Sequence, residues 1–343
     1  MVPREITPEF EEKEAKYAEM IEPYFMGIFM AEDEYYSKVI GDEDNYYFDK
    51  SDYSFLVHND DLEWLMDDFV STMMGDTAYA REFKRILDLE NPRVDVNYSE
   101  GVVDAPDVVT GVEKVGGKCY LETPIALEFL SDDIFHTSFH HIATAMHEVA
   151  HAMNECNSSE QNILPKFWEG VEVESLFVEN LFYLYLFHNA DRVAFELQNH
   201  HRDERITPEN IRRWVQNASV ADHVDLFART AYSMTPEVNP EYDDKAFMAR
   251  YVVGQVYARC LIEEYKKEPE ATMNKFYEFV KNNAGIEHFD EIAQRLFHDK
   301  ILEERMASIT EDKKPCDPHD VVVKNYVEIV FKEMQKIQEY QGE

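Results

Sequence analysis

Two histidines and a glutamate in the run HTSFHHIATAMHEVAHAMNEC carry the first chemical signal in this 343-residue chain. His147 and His151 are four residues apart, and Glu148 directly follows the first. On a helix, residues four apart stand one above the other. Two imidazoles so placed can hold one metal ion from one face. Glu148 beside them can take a proton from a water that the ion activates. Residues 131–157 hold no Pro or Gly and are rich in Ala and Met, so they are expected to form the helix that carries this pattern.

A catalytic centre of this kind needs a third oxygen or nitrogen donor and an open fourth position. The run FWEGVEVESLFVENLFYLYLF, on a helix expected from Pro165 onward, offers Glu169, Glu172, Glu174 and Glu179. Glu172 and Glu179 are two turns apart and share a face, so Glu172 can ligate while Glu179 hydrogen-bonds a ligand imidazole from behind. Glu174 points elsewhere; it and Glu169 are the alternative ligands. A carboxylate on an otherwise apolar helix is costly to bury unless paired.

For a group that stabilises a developing oxyanion, Tyr251 is the first choice. It lies on an expected helix over 243–265, with Gly254 and Ala258 on or near its face. Small residues there leave room for a backbone or a substrate. Tyr257 sits about two-thirds of a turn away from that face and Tyr242 precedes the helix; both stay open as alternatives. His140 shares the face of His147 two turns earlier, in a cluster with His136 and His141, and is a candidate for lining a cleft.

HExxH followed by Glu172, Ser175, Glu179 and Asn180 in the pattern E-x-x-S-x-x-x-E-N resembles the carboxypeptidase Taq family of helical zinc peptidases. The segment Tyr251-Val-Val-Gly254-Gln-Val-Tyr257-Ala258 is similar to the Y-x-x-G-x-x-Y-A segment of that family. Arg250-Tyr251 also resembles the Arg-Tyr pair of the related angiotensin-converting enzymes, and the thimet oligopeptidase group has a comparable Glu helix. The resemblance spans residues 130–262. It implies a helical gluzincin fold with Zn2+ on His147, His151 and Glu172, Glu148 as base, and Tyr251 as donor to the oxyanion. It implies oligopeptides as substrates. The His that precedes the Tyr in the converting enzymes has no counterpart, and His223 is a distant substitute. Endo- and exopeptidase action both stay open.

The rest of the chain bounds this reading. Apolar residues make up 45% of the sequence, an ordinary globular share. The net charge of −37 opposes nucleic acid and anionic membranes as partners, because their phosphates would be repelled. The N-terminus lacks the basic and apolar regions of a secretory signal, and no apolar run is long enough to span a bilayer. Cys119, Cys156, Cys260 and Cys316 are far apart and read as free thiols, so a cytoplasmic location is expected.

Helices are expected over 8–40 with a kink at Pro23, over 60–74, over 76–89 with Asp76 as cap, and over 272–282 and 289–297. A last one follows Asp317-Pro318, with Asp317 as its cap. Residues 42–52 read as a loop. Alternation in 94–98 and in part of 108–123 predicts a small antiparallel sheet beside the HExxH helix, whose edge could hold an extended peptide. The fold class expected is mainly α, a helical zincin with that sheet. One catalytic domain would span 1–343, with an N-terminal helical lobe to residue 90, a zinc-binding core over 91–268 and C-terminal helices beyond. The reading from another class is a helical binding or scaffold protein that keeps a structural zinc.

Overall fold

The computed structural model describes residues 23–40, 54–87, 94–100, 111–115, 118–126, 128–130, 134–160, 171–201, 205–234, 245–282, 289–311, 314 and 316–341. The chain is mainly helical. Helix α1 covers 23–40 and ends in a π-helical stretch, Tyr36–Ile40. It is followed by α2 (Asn59–Phe69), which runs on into a π-helical turn at Val70–Met74, and by α3 (Ala78–Leu87). The larger helices are α4 (Phe139–Glu160), α5 (Val171–His201), α6 (Pro208–Met234) and α7 (Lys245–Tyr265). Helices α8 (Pro269–Asn282), α9 (Phe289–Thr310) and α10 (Pro318–Gln341) complete the described chain.

Among the described residues, two three-stranded sheets accompany them. β1 (Ser54–His58), β6 (Ile134–Ser138) and β5 (Glu128–Phe129) form one, in the order β1-β6-β5 and antiparallel throughout. The other has β4 (Lys118–Ala126) between β2 (Val94–Glu100) and β3 (Gly111–Val115). β3 pairs antiparallel with β4, as the sequence suggests, but β2 pairs parallel with it, so this sheet is mixed. A tight connection forces β3 and β4 antiparallel, whereas β2 has a whole strand between it and β4 and is free of that constraint. β4 packs on α4, which sets the mixed sheet beside the HExxH helix.

Local chemistry accounts for several element ends. The helix expected from residue 131 begins instead at Phe139, and Ile134–Ser138 is strand β6, paired residue by residue with β1. Ser138 marks the change: its hydroxyl accepts from the backbone N–H of His141 at 3.2 Å, an N-cap bond. α3 is capped by Thr77, whose Oγ accepts from the N–H of Ala80 at 3.1 Å; Asp76, the expected cap, takes a bond from Arg81 at 2.8 Å instead. Asp317 does cap α10, accepting from the N–H of His319 at 2.8 Å. α9 runs past its expected end at Phe297, where the backbone kinks (φ −128°, ψ 27°) and then resumes.

Buried apolar side chains from Phe25 in α1 to Met334 in α10 form one continuous cluster. At its centre lie α4, α5 and α7: α5 packs against α7, α4 and α6, and α7 against α6, α10 and α8. α4 can lie deep because its inner face is small or flexible, with Ala143, Ala145, Ala150, Ala152, Met146 and Met153 all buried. The last residue of α7 is anchored at a distance: the Tyr265 hydroxyl donates to the Met73 carbonyl at 2.6 Å, within the π-helical turn. Among the described residues, no helix is long and apolar enough to cross a membrane.

Candidate metal centre

The first turns of α5 meet the middle of α4 and the first half of α7, and the predicted ligands converge there. His147 Nε2 and His151 Nε2 lie 3.1 Å apart. Glu172 Oε2 lies 3.4 Å from the first and 3.6 Å from the second. Among the described residues, these three side chains form the one group of His, Cys, Asp and Glu able to hold a metal ion. For bonds of roughly 2.0–2.1 Å, the edge of a tetrahedron of ligands is about 3.3 Å. The triangle therefore fits a small tetrahedral cation, with a fourth position not supplied by these side chains.

The hydrogen bonds around the triangle sharpen this. His147 Nδ1 lies 3.1 Å from Glu179 Oε2, which keeps a proton on Nδ1, so that a cation taking the place of any proton on Nε2 would meet that nitrogen's lone pair. Two imidazole nitrogens and a carboxylate oxygen then face one another, an arrangement that calls for a cation or a proton between them. Burial opposes a charge on His147, yet its hydrogen bonds to Glu172 and Glu179 prevail and raise its pKa well above the usual value. Burial would also raise the Glu172 carboxyl, but the two imidazoles outweigh it and hold that group well below the usual carboxylate range. Glu179 is fixed in turn by the Tyr183 hydroxyl, which donates to Oε1 at 2.6 Å. Tyr183 is not among the predicted residues, although its i+4 spacing from Glu179 was the available signal.

Glu172 is steadied on both sides. The Ser175 hydroxyl donates to its Oε2 at 3.2 Å, and Arg250 Nε on α7 lies 3.8 Å from its Oε1. Glu148 is buried next to His147, and its charge is felt by both His147 and Tyr251. Tyr251 has the Arg229 guanidinium 4.7 Å and that of Arg250 5.4 Å from the centre of its ring. Burial and the charge of Glu172 raise its phenol above the usual range despite the two arginines, so at neutral pH it keeps its proton and can donate it in a hydrogen bond. Neither Arg229 nor the stack it makes on Tyr251 was foreseen.

The alternatives fare differently. Glu174 is fully buried and faces the Tyr79 phenol, away from the imidazole pair, so it does not join the triangle. Tyr257 is buried, stacks on His319 and shares a 3.0 Å hydrogen bond with its Nδ1, so it serves the core rather than this centre. His223 belongs to another buried cluster, with Glu32 and Glu333 on its two nitrogens. His140 stays in the first turn of α4, its ring 6.0 Å from that of His141. Glu169 and Tyr242 lie outside the described residues.

Comparison of the chain with family models, with curated proteins and with solved structures found no match.

Proposed function

We propose that this protein is a zinc-dependent peptidase of the helical gluzincin type, acting on peptide bonds of oligopeptides. The observation that carries the reading is the convergence of two Nε2 atoms and one carboxylate oxygen on a single point, with a glutamate directly beside the first imidazole. Three protein ligands rather than four favour a catalytic over a structural zinc. Zinc at this centre would make a bound water more acidic and polarise a substrate carbonyl.

The chain's own groups then have distinct tasks. His147, His151 and Glu172 hold the cation. Glu179, itself fixed by Tyr183, keeps His147 in the tautomer that offers Nε2. Glu148 takes the proton of the attacking water and passes it to the leaving amine. Tyr251 donates a hydrogen bond to the oxygen on which negative charge develops, and the Arg229 and Arg250 guanidiniums lie against its ring.

The test combines metal analysis with a panel of quenched peptides, with free and blocked C-termini. One zinc per chain and chelator-sensitive cleavage are expected. Glu148→Gln should abolish turnover with zinc retained, and Tyr251→Phe should lower kcat by about 10²–10³. Stoichiometric zinc without hydrolysis of any peptide would transfer the site to a structural role in a binding protein.

A further inference from the structure

Glu172 on α5 lies against α7, and the residue of α7 that meets it is Gly254. A Cβ built on Gly254 would lie 2.7 Å from Glu172 Cβ, 2.9 Å from the Glu172 carbonyl carbon and 2.9 Å from Leu176 Cδ1. Cβ atoms essentially never lie within 3.0 Å of a heavy atom outside their own and neighbouring residues. Leu176 could swing aside, but the other two obstacles are the root and backbone of the third ligand and cannot. Gly27 provides the contrast within the same chain: its Cβ would meet only Val323 Cγ1 at 3.4 Å, an ordinary contact.

We infer that Gly254 is a positioning residue of the metal centre. The missing side chain lets α7 touch the backbone of α5 at Glu172. That contact fixes two distances at once. One is from the Glu172 carboxylate to the paired imidazoles. The other is from Tyr251, one turn earlier on α7, to the same centre. A methyl group at 254 must move the helices apart by roughly 1 Å to reach ordinary van der Waals separation. Helices can absorb such a shift and remain folded. A ligand set cannot, because metal–ligand distances tolerate only about 0.2 Å.

The inference rests on the metal reading, so the experiment measures zinc affinity rather than turnover. Zinc is titrated against a chromophoric chelator for the wild type, Gly254→Ala and Gly27→Ala. Val330→Ala is a further control, a core truncation on α10. Thermal unfolding of the metal-free forms is followed in parallel. Gly254→Ala is expected to weaken zinc binding about 10- to 100-fold. Gly27→Ala and Val330→Ala should leave it within about twofold, although Val330→Ala lowers the melting temperature.

The double variant Leu176→Ala/Gly254→Ala relieves the flexible contact and guards against a misfolded single variant. Its affinity should stay low, because the clash with Glu172 persists. Wild-type affinity in Gly254→Ala, recovery in the double variant, or an equal loss in Val330→Ala would each overturn the inference while leaving the zinc site in place. A wild-type chain that takes up no zinc would overturn both.

Discussion

Histidine is buried among carboxylates in two separate parts of this protein, and the two clusters end up with opposite characters. In the cluster joining α1, α6, α7 and α10, His223 Nδ1 lies 2.7 Å from Glu32 and Nε2 lies 3.1 Å from Glu333. Tyr326 donates to the other oxygen of Glu32 at 2.5 Å, and Arg259 reaches Glu333 at 3.5 Å and the Ser219 carbonyl at 3.4 Å. The two ring nitrogens face different carboxylates, and the Arg259 guanidinium also lies against Nε2, so the ring is surrounded by charged groups of both signs. Burial and Arg259 push the His223 pKa down, but the two carboxylates outweigh them and raise it. This cluster is closed by its own charges.

At the candidate metal centre the bonds point inward. The two Nε2 atoms and Glu172 Oε2 face one another, and only the outer nitrogen of His147 is directed to a carboxylate behind it. The residue types are nearly the same in both places. What differs is what the ring nitrogens face: charged groups of both signs make a self-sufficient brace between helices, and inward-facing lone pairs leave a position for a cation.

Replacing one histidine from each cluster by alanine should produce the largest contrast. His151→Ala is expected to weaken zinc binding by at least about a thousandfold, since roughly 10–16 kcal/mol of zinc affinity is shared among a few ligands. It should leave the metal-free fold almost as stable as before. His223→Ala should do the reverse. It strands the buried Glu32 carboxylate and should cost about 3–5 kcal/mol in urea unfolding while zinc affinity stays within a few-fold. A His223→Ala protein that loses zinc as His151→Ala does would merge the two clusters into one site.

pH separates the buried histidines again. His319 packs against Tyr24 and Tyr257, and burial lowers its pKa to about 4. The unfolded residue titrates near 6.5, so between those values the unfolded state binds the extra proton and stability falls as pH falls. About 3 kcal/mol should be lost from pH 6.5 to 4 in the metal-free wild type, and His319→Gln should remove that dependence. The contribution of His223 has the opposite sign. Its folded pKa is raised, so its stabilisation is complete below about 6.5 and is lost as pH rises through the folded value. Urea midpoints across pH 4–9 for both Gln variants would expose a wrong sign for either.

The smallest expected effect lies behind the ligands. Glu179→Ala should reduce zinc affinity about 10- to 100-fold by freeing the His147 ring, well short of the loss expected for His151→Ala. Unchanged affinity in a competition titration would show that His147 needs no support from that carboxylate.

How much of this was legible beforehand follows from how local each signal is. The His147–His151 pair and the Glu172–Glu179 pair depend only on helical spacing, and both were readable. The preference for Glu172 over Glu174 follows from helical phase as well, whereas the partner that occupies Glu174, Tyr79, is remote in sequence and was not readable. β6 has no Gly or Pro to announce it and exists because β1 pairs with it, yet Ser138 carried a legible cap signal. Helix α6 went unassigned although Thr207-Pro208 repeats the form of Asp317-Pro318, and Thr207 caps it by accepting from the Asn210 N–H at 3.1 Å. Its buried face mixes Ile211, Trp214 and Leu226 with His223 and Thr230, which blurs the apolar period. The expected helical lobe ending near residue 90 meets a core whose buried residues run on without a break through α1, α2 and α3 into α4 and α5.

The tie from Tyr265 to Met73 gives α7 the properties of a ruler. Gly254 and Tyr265 are eleven residues apart, roughly three turns, so the contact with Glu172 and the far anchor share one side of the rod. One residue inserted between them would rotate everything upstream by about 100°. Tyr251 and Arg250 would swing off the candidate metal centre while the anchored end stayed where it is. The count of residues along that stretch is therefore constrained independently of their identities, and a length change there is the most economical way to dismantle the site while leaving its ligands intact.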